Sequence, residues 1–187
     1  VVFGVAIGTT VITYMMPNGC FRTLNFTVNS LPSPITGATF IVCAASTIRL
    51  SDATLGGVWS STPITVATVV GAGPGLGDVT GVSAGTANIT YSLSTGCNAV
   101  RTVSVNAVPA TISGTAVVCK NATTVLYQSL AGGNWTSGNT LIATIDAGGL
   151  VTGIAAGTVR ITYAFASGCA VSTIVTVNPL PDTITGN

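Results

Sequence analysis

An eleven-residue pattern returns three times in this chain and limits what it can fold into. Gly4-Val-Ala-Ile-Gly-Thr-Thr-Val-Ile-Thr-Tyr14 recurs as Gly81-Val-Ser-Ala-Gly-Thr-Ala-Asn-Ile-Thr-Tyr91 and as Gly153-Ile-Ala-Ala-Gly-Thr-Val-Arg-Ile-Thr-Tyr163, at steps of 77 and 72. Cys20, Cys97 and Cys169 keep the same steps, while Cys43 and Cys119 form a second series 76 apart. Trp59 and Trp135 also stand 76 apart, each inside Gly-Gly-x-Trp. The connector repeats as Leu31-Pro-Ser-Pro-Ile-Thr-Gly37, Val108-Pro-Ala-Thr-Ile-Ser-Gly114 and Leu180-Pro-Asp-Thr-Ile-Thr-Gly186. Self-similarity at a fixed period means an array of like units. A period above 70 residues is long enough for each unit to be a small domain.

The expected organisation has four pieces. Residues 1–31 are the C-terminal part of one repeat, 32–108 and 109–179 are complete repeats, and 180–187 open another. Cut out of register with its own repeats, and with no initiator Met or basic leader at Val1, the chain reads as an excerpt of a longer array. The two complete repeats differ in length at one place, Gly71-Ala-Gly-Pro-Gly-Leu-Gly77, which reads as a loop insertion.

Within each repeat the hydropathy alternates with period two. Val159, Ile161, Tyr163 and Phe165 alternate with Arg160, Thr162 and Ala164, and Ala87, Ile89, Tyr91 and Leu93 alternate with Asn88, Thr90 and Ser92. Such alternation in Thr, Val, Ile and Tyr predicts half-buried antiparallel strands. A short glycine-bearing turn follows (Pro17-Asn-Gly19, Ser94-Thr-Gly96, Ser167-Gly168), then a second alternating strand, which is a β-hairpin. No segment carries helical periodicity with caps. Several short strands per unit predict an all-β chain of tandem β-sandwiches.

Charge narrows the function. Only 5% of the 187 residues are charged, with five bases, four acids, no His and a net charge of +1, against about 25% charged in an ordinary soluble domain. The apolar content of 48% excludes a disordered chain. Scattered bases cannot neutralise a run of phosphates, so no nucleic-acid partner is expected. Imidazole catalysis and His-ligated metals are excluded within this chain. Mean hydropathy is high, at +0.72, yet Thr, Ser, Asn or Gly interrupts every apolar stretch before the roughly 20 residues that a spanning helix needs, so no membrane-spanning segment is expected.

Residues Ala143-Thr-Ile-Asp-Ala-Gly-Gly-Leu-Val-Thr-Gly-Ile-Ala-Ala-Gly-Thr-Val-Arg-Ile-Thr-Tyr163 resemble the signature of bacterial Ig-like domains of group 2. There, a strand ending in Ala-Thr-Val leads through a glycine turn to Val-Thr-Gly-Val-x-Ala-Gly-Thr-Ala-Thr-Ile-Thr. The likeness covers both complete repeats and the leading fragment. The added Gly-Gly-x-Trp and paired cysteines resemble the tandem versions found in long secreted adhesins. The resemblance implies Ig-like sandwiches, an extracellular or cell-surface location, a role as spacer, stalk or adhesive filament, and no catalytic residues or cofactors.

Two cysteines per complete repeat in an export-type chain argue for one intradomain disulfide each, Cys43 with Cys97 and Cys119 with Cys169. Cys20 is then expected to pair upstream of Val1. Closing a loop of roughly 50 residues would contribute about 4 kcal/mol, which matters because sandwiches this small bury little surface. The alternative is buried free thiols in a reducing compartment. Trp59 and Trp135 follow a cysteine by 16 positions, as in the Cys…Trp…Cys order of Ig domains. They are expected as core aromatics, against the alternative of a sugar-stacking platform.

Other constellations carry little chemistry. The glycine run Gly71–Gly77 leads into a strand and lacks the lysine of a phosphate-binding loop. Asp52, Asp78, Asp146 and Asp182 are dispersed, without the paired carboxylates of a glycosidase or the oxygen cluster a calcium site requires. The polar strand faces carry Thr, Ser and Asn instead of charge, and so lack the usual safeguard against sheet association. They are expected to meet copies of the chain itself, or to carry glycans. Asn25, Asn88, Asn121 and Asn134 each begin an Asn-x-Thr triplet, as chance often produces in a Thr-rich chain. The expected function is therefore a structural, non-catalytic segment of an extracellular filament or adhesin, self-associating into fibres. The alternative is a spacer or carbohydrate-binding module of a secreted glycan-active enzyme, with surface glycans as partners.

Overall fold

A computed structural model of the protein describes residues 1–181. Among them are eighteen strands and no helix. They fall into two compact units, Val1–Val105 and the residues from Asn106 onward.

The first unit begins with a hairpin, β1 (Gly8–Met15) and β2 (Phe21–Val28), paired from Gly8↔Val28 to Met15↔Phe21. Then come β3 (Thr36–Gly37), β4 (Ile41–Cys43), β5 (Thr47–Ser51), β6 (Val58–Thr62), β7 (Ala67–Gly73), β8 (Leu76–Gly81), β9 (Gly85–Ser92) and β10 (Asn98–Asn106). They form two four-stranded sheets, ordered β3-β5-β8-β7 and β4-β10-β9-β6.

The second unit holds β11 (Ser113–Gly114), β12 (Val117–Cys119), β13 (Thr123–Tyr127), β14 (Gly133–Ser137), β15 (Ala143–Ile145), β16 (Leu150–Gly153), β17 (Gly157–Phe165) and β18 (Ala170–Asn178). Its sheets, β11-β13-β16-β15 and β12-β18-β17-β14, repeat the first pair strand for strand. The topology is the sandwich that the alternation predicts.

The alternating residues meet in the two cores. In the first unit Val42, Leu50, Ala67, Val79, Ala87, Ile89, Tyr91, Val103 and Val105 are buried, and Ala87, Ile89 and Tyr91 point inward from one strand while Asn88, Thr90 and Ser92 face outward. Val118, Leu126, Ala143, Val151, Val159, Ile161, Val175 and Val177 take the matching places in the second unit. Each large side chain so buried stabilises by about 1.5–3 kcal/mol.

One turn closes all three hairpins. In the complete repeats the Leu93 and Phe165 amides donate to the Cys97 and Cys169 carbonyls, each at 2.9 Å, and Met16 to Cys20 does the same at 2.8 Å. Gly19, Gly96 and Gly168 supply the left-handed residue, with φ of 84° to 86°. The β1–β2 hairpin lacks an opposing sheet among the described residues, so its inward face lies open. Tyr14 is 73% exposed where Tyr91 is 0%.

The extra residues of the first complete repeat are not a loop. Gly71–Gly77 lengthens the β7–β8 hairpin, which is paired up to Gly73↔Leu76, with a register shift between Gly71 and Gly73. Backbone pairing continues through the insertion because the Asp52 amide donates to the Gly75 carbonyl at 2.8 Å, holding the hairpin tip against the end of β5. The expected opening of a further repeat, 180–187, lies almost wholly outside the described residues.

Candidate functional site

The Gly-Gly-x-Trp motif builds an aromatic clamp in each complete repeat. Trp59 stands directly opposite Tyr91 across β6 and β9, and Trp135 opposite Tyr163 across β14 and β17. The rings meet with centroids 4.8 Å and 4.9 Å apart and planes tilted by 51° and 60°. Tilted contacts of this kind suit the quadrupoles of aromatic rings.

Each tyrosine is fixed at its other end. The Gly57 amide donates to Tyr91 Oη at 2.9 Å, and the hydroxyl donates to the Thr54 carbonyl at 2.8 Å. Tyr163 repeats the pair, accepting from Gly133 at 2.8 Å and donating to the Leu130 carbonyl at 2.9 Å. The two glycines of the motif have separate reasons. Gly56 and Gly132 adopt φ of 86° and 97°, a conformation that side chains strain. At Gly57 a Cβ would sit 2.5 Å from the Tyr91 ring, and Gly133 lies equally tight under Tyr163.

Trp59 and Trp135 are therefore packed, but only half-buried, and their aromatic partner is a tyrosine. Sequence reasoning passed over Tyr91, Tyr163, Gly57 and Gly133 as clamp residues. The signal was present in the Tyr that ends every copy of Ile-Thr-Tyr. Beside Trp135 a shallow hollow opens, lined by Tyr127, Gln128, Gly132, Gly148 and Tyr163.

The cysteines depart from expectation. Cys43 and Cys169 are disulfide-bonded, whereas Cys20, Cys97 and Cys119 carry free thiols. The expected pairs Cys43–Cys97 and Cys119–Cys169 are thus not formed. The reason is topological: β12 runs parallel to β18 with Cys119 opposite Asn178, while Cys169 precedes the first residue of β18. Nine residues of strand separate the two positions, about 30 Å at 3.3 Å per residue, whereas a disulfide needs Cα atoms within about 7 Å.

The first complete repeat has the same geometry. A Cβ built on Gly81 would lie 2.7 Å from the Cys43 carbonyl and 2.8 Å from Val105, which puts Cys43 at the end of β10. Cys97 lies before the start of β10. Each sandwich therefore carries one cysteine at either end. Cys169 is buried, Cys43 and Cys97 are half-buried, and Cys119 and Cys20 are exposed.

The carboxylates serve the backbone and the sheet. Asp52 Oδ1 accepts from the Thr54 amide at 2.8 Å, and Asp146 Oδ1 accepts from the Gly148 and Leu150 amides, both at 2.9 Å. Asp78 takes a two-pronged contact from Arg49, directly across β5 and β8, at 2.7 and 2.9 Å. That guanidinium holds the Asp78 carboxyl below its ordinary range, chiefly through the hydrogen bond. Asp182 lies outside the described residues. Among the described residues no three of His, Cys, Asp or Glu gather as a metal site, and no helix is long and apolar enough to cross a membrane.

The outer strand faces are rich in hydroxyl and amide side chains and carry few charges, the Arg49–Asp78 pair and Arg160 among them. Thr102 donates to Asn88 Oδ1 at 2.9 Å, and the Thr47 and Thr80 hydroxyls meet at 2.9 Å. The triplet residues Asn25, Asn88, Asn121 and Asn134 are all exposed.

Two solved structures share this fold. The C-terminal 282-residue fragment of intimin, solved in complex with the intimin-binding domain of the translocated intimin receptor, matches with a TM-score of 0.54 at 14% identity, over 80% of this chain and 64% of that one. Invasin, a bacterial integrin-binding protein, matches with a TM-score of 0.52 at 18% identity, over 92% of this chain and 46% of that one. The chain is thus an all-β protein with the Ig-like fold of bacterial adhesin domains. Among curated proteins, ice-binding protein 1 of Shewanella frigidimarina (strain NCIMB 400) is 34% identical over 134 residues, 63% of this chain. The chain spans 15% of the length of that relative. No family model matches the chain.

Proposed function

We propose that the chain is a non-catalytic repeat segment of an extracellular or cell-surface bacterial adhesin, built from Ig-like domains of the group 2 kind. The observation that carries this reading is the recurrence of one clamp in both complete repeats. Trp59–Tyr91 and Trp135–Tyr163 have the same register, ring separation and hydroxyl partners. A tuned active site has no need to recur with each domain, whereas a unit whose task is shape and reach recurs by design. The adhesin-like fold and the sparsely charged outer faces support the same reading, with copies of the repeat as neighbours and fibres as the assembled form.

Antibody against the chain should label intact cells of the producing bacterium. Negative-stain images of the native material should show periodic fibres. Absence of surface label would overturn the location, and dispersed particles would overturn the filament.

A second reading, a carbohydrate-binding module, is favoured by the hollow beside Trp135, where a half-buried indole lies next to Gln128 and Tyr127. It predicts that oligosaccharides change the tryptophan emission of the wild type and not of Trp135→Phe.

A further inference from the structure

The hollow beside Trp135 has a counterpart in the first complete repeat, and there it is closed. The two sandwiches match at a step of 76, so Ser51, Asp52, Leu55 and Trp59 stand where the second unit has Tyr127, Gln128, Ala131 and Trp135. In the second unit the hairpin tip is short, with the Asp146 amide donating to the Leu150 carbonyl, and beside it the hollow opens to about 330 Å³. In the first unit residues 71–77 lengthen the same hairpin, and its tip lies over these positions. The Gly75 carbonyl accepts from the Asp52 amide at 2.8 Å. A Cβ on Gly75 would stand 3.6 Å from the Leu55 side chain, and one on Gly77 would stand 2.8 Å from the Trp59 ring. Asp52 is left 4% exposed. Among the described residues, Asp52 Oδ2 and Trp59 Nε1 are the two buried side-chain polar atoms without a hydrogen-bond partner. Buried polar atoms are seldom left in that state, and here they mark a polar hollow over which a hairpin has been laid.

We propose that the second complete repeat binds a neutral pyranose ring in this hollow, and that the β7–β8 extension shuts the same site in the first. The inference rests on the carbohydrate-binding reading, and adds which repeat binds, what class of sugar it takes and what closes the other repeat. Two aromatic side chains supply the wall. Trp135 is half-buried and tilted against Tyr163, and Tyr127, 60% exposed, ends β13 where the first repeat ends β5 with Ser51. The C–H faces of a pyranose carry slight positive charge and suit the negative faces of such rings. Gln128 and the glycine backbone at Gly132 and Gly148 form the polar side, the few placed polar groups that a small ligand site uses for orientation. Gln128 Nε2 donates to the Ala110 carbonyl at 2.6 Å, while Oε1 takes only a long contact, 3.4 Å, from the Leu130 amide and has capacity to accept from a sugar hydroxyl. None of the side chains lining the hollow is charged, and Asp146 Oδ1 beside it is engaged by the Gly148 and Leu150 amides. A uronic acid would lose hydration there and gain no counter-charge, which selects a neutral sugar.

Single-tryptophan chains test the proposal directly. Trp59→Phe leaves Trp135 to report, and Trp135→Phe leaves Trp59. Acrylamide should quench Trp135 more than Trp59, and equal quenching would overturn the closure. The same chains are titrated with neutral cello-, malto- and manno-oligosaccharides and with an oligogalacturonate. A neutral sugar should shift the emission of Trp135 and not that of Trp59, and the oligogalacturonate should shift neither. Oligogalacturonate bound as tightly as the neutral sugars would overturn the assigned class. Tyr127→Ala changes an exposed side chain and leaves the clamp in place, and it should weaken the neutral sugar about tenfold.

Exchanging the hairpin tips tests the cause. With residues 146–150 replaced by the sequence of 70–78, the Trp135 chain should lose its response to the neutral sugar while keeping the near-ultraviolet circular dichroism of its Trp–Tyr pair. With residues 70–78 replaced by the sequence of 146–150, acrylamide should quench Trp59 as it quenches Trp135. A sugar response that survives the first exchange, or one shown by Trp59 beneath its own long hairpin, would overturn the shutter and leave the carbohydrate-binding reading standing. No response of any chain to any of these sugars would overturn that reading and this inference with it.

Discussion

The Gly57 amide donates to the phenolic oxygen of Tyr91 at 2.9 Å, and the ring of the same tyrosine covers the glycine so closely that a Cβ would approach it to 2.5 Å. One tyrosine thus ties a turn, a strand and a tryptophan together. Phenylalanine at 91 keeps the ring and leaves the Gly57 amide and the Thr54 carbonyl without their partner. Tyr91→Phe should cost about 1–3 kcal/mol in urea denaturation. Tyr14→Phe, at the same motif position on an open face, should stay within about 0.5 kcal/mol of the parent.

Gly57→Ala tests the packing side of the clamp. The added methyl has to displace a ring that is 0% exposed and held at both ends. Overpacking of this kind costs about 1–3 kcal/mol. The loss should appear in the denaturation midpoint and in the near-ultraviolet circular dichroism of the Trp59–Tyr91 pair. An unchanged midpoint would mean that the turn yields freely and that the motif is not a clamp.

The turn that follows Cys43 in one repeat and Cys119 in the other differs in one informative residue. Ala45 has φ of 63° and Asn121 has φ of 65°. Asparagine tolerates the left-handed region better than alanine does. Ala45→Asn should therefore stabilise the first unit, by roughly 0.5–1 kcal/mol on the scale of conformational effects at such sites. Thermal denaturation reads the gain, and a lowered midpoint would contradict it.

Asp78 makes stability depend on acid. Its carboxyl is lowered, first by the hydrogen bond from Arg49 and further by the opposite charge, with desolvation acting against both. A depressed carboxyl contributes stability that is fully present above its unfolded value of about 3.9 and is lost as pH falls through the lower folded value. The midpoint of the parent should fall over that acid range, and Asp78→Asn should lose this part of the slope. The effect will be small, because Arg49 is 61% exposed and surface pairs are screened.

Hairpins and cores were legible because they depend on local alternation. Ile89 and Tyr91, and Ile161 and Tyr163, are buried as their period-two positions require. The placement of the cysteines was not legible, because an even count per repeat does not say at which end of a sandwich each cysteine stands. What separates them is the parallel pairing of β12 with β18, a contact between distant segments that no neighbouring residue announces. The glycine insertion misled for a similar reason. A glycine-rich stretch reads as a loop, but the β8 register with β5, including Arg49↔Asp78 and Leu50↔Gly77, carries it on as strand. Trp59 was recognised as an aromatic anchor, and its partner was hidden in a motif that looked like ordinary strand.

The last prediction tests the within-repeat placement of the disulfides by stability alone. Were Cys43–Cys97 and Cys119–Cys169 the native pairs, replacing Cys97 and Cys119 would open both closed loops, at about 2–4 kcal/mol for each disulfide. In the structure both residues carry free thiols, Cys119 exposed and Cys97 half-buried at the mouth of a hairpin whose turn is closed by backbone hydrogen bonds. A serine at either place fills nearly the same volume and breaks no bond. The Cys97→Ser and Cys119→Ser double variant should therefore stay within about 0.5 kcal/mol of the parent under oxidising conditions. Cys43→Ser should lower the midpoint, because Cys43 is disulfide-bonded. A double variant that loses several kcal/mol would restore the within-repeat pairing and with it a different course for the first strand of each sandwich.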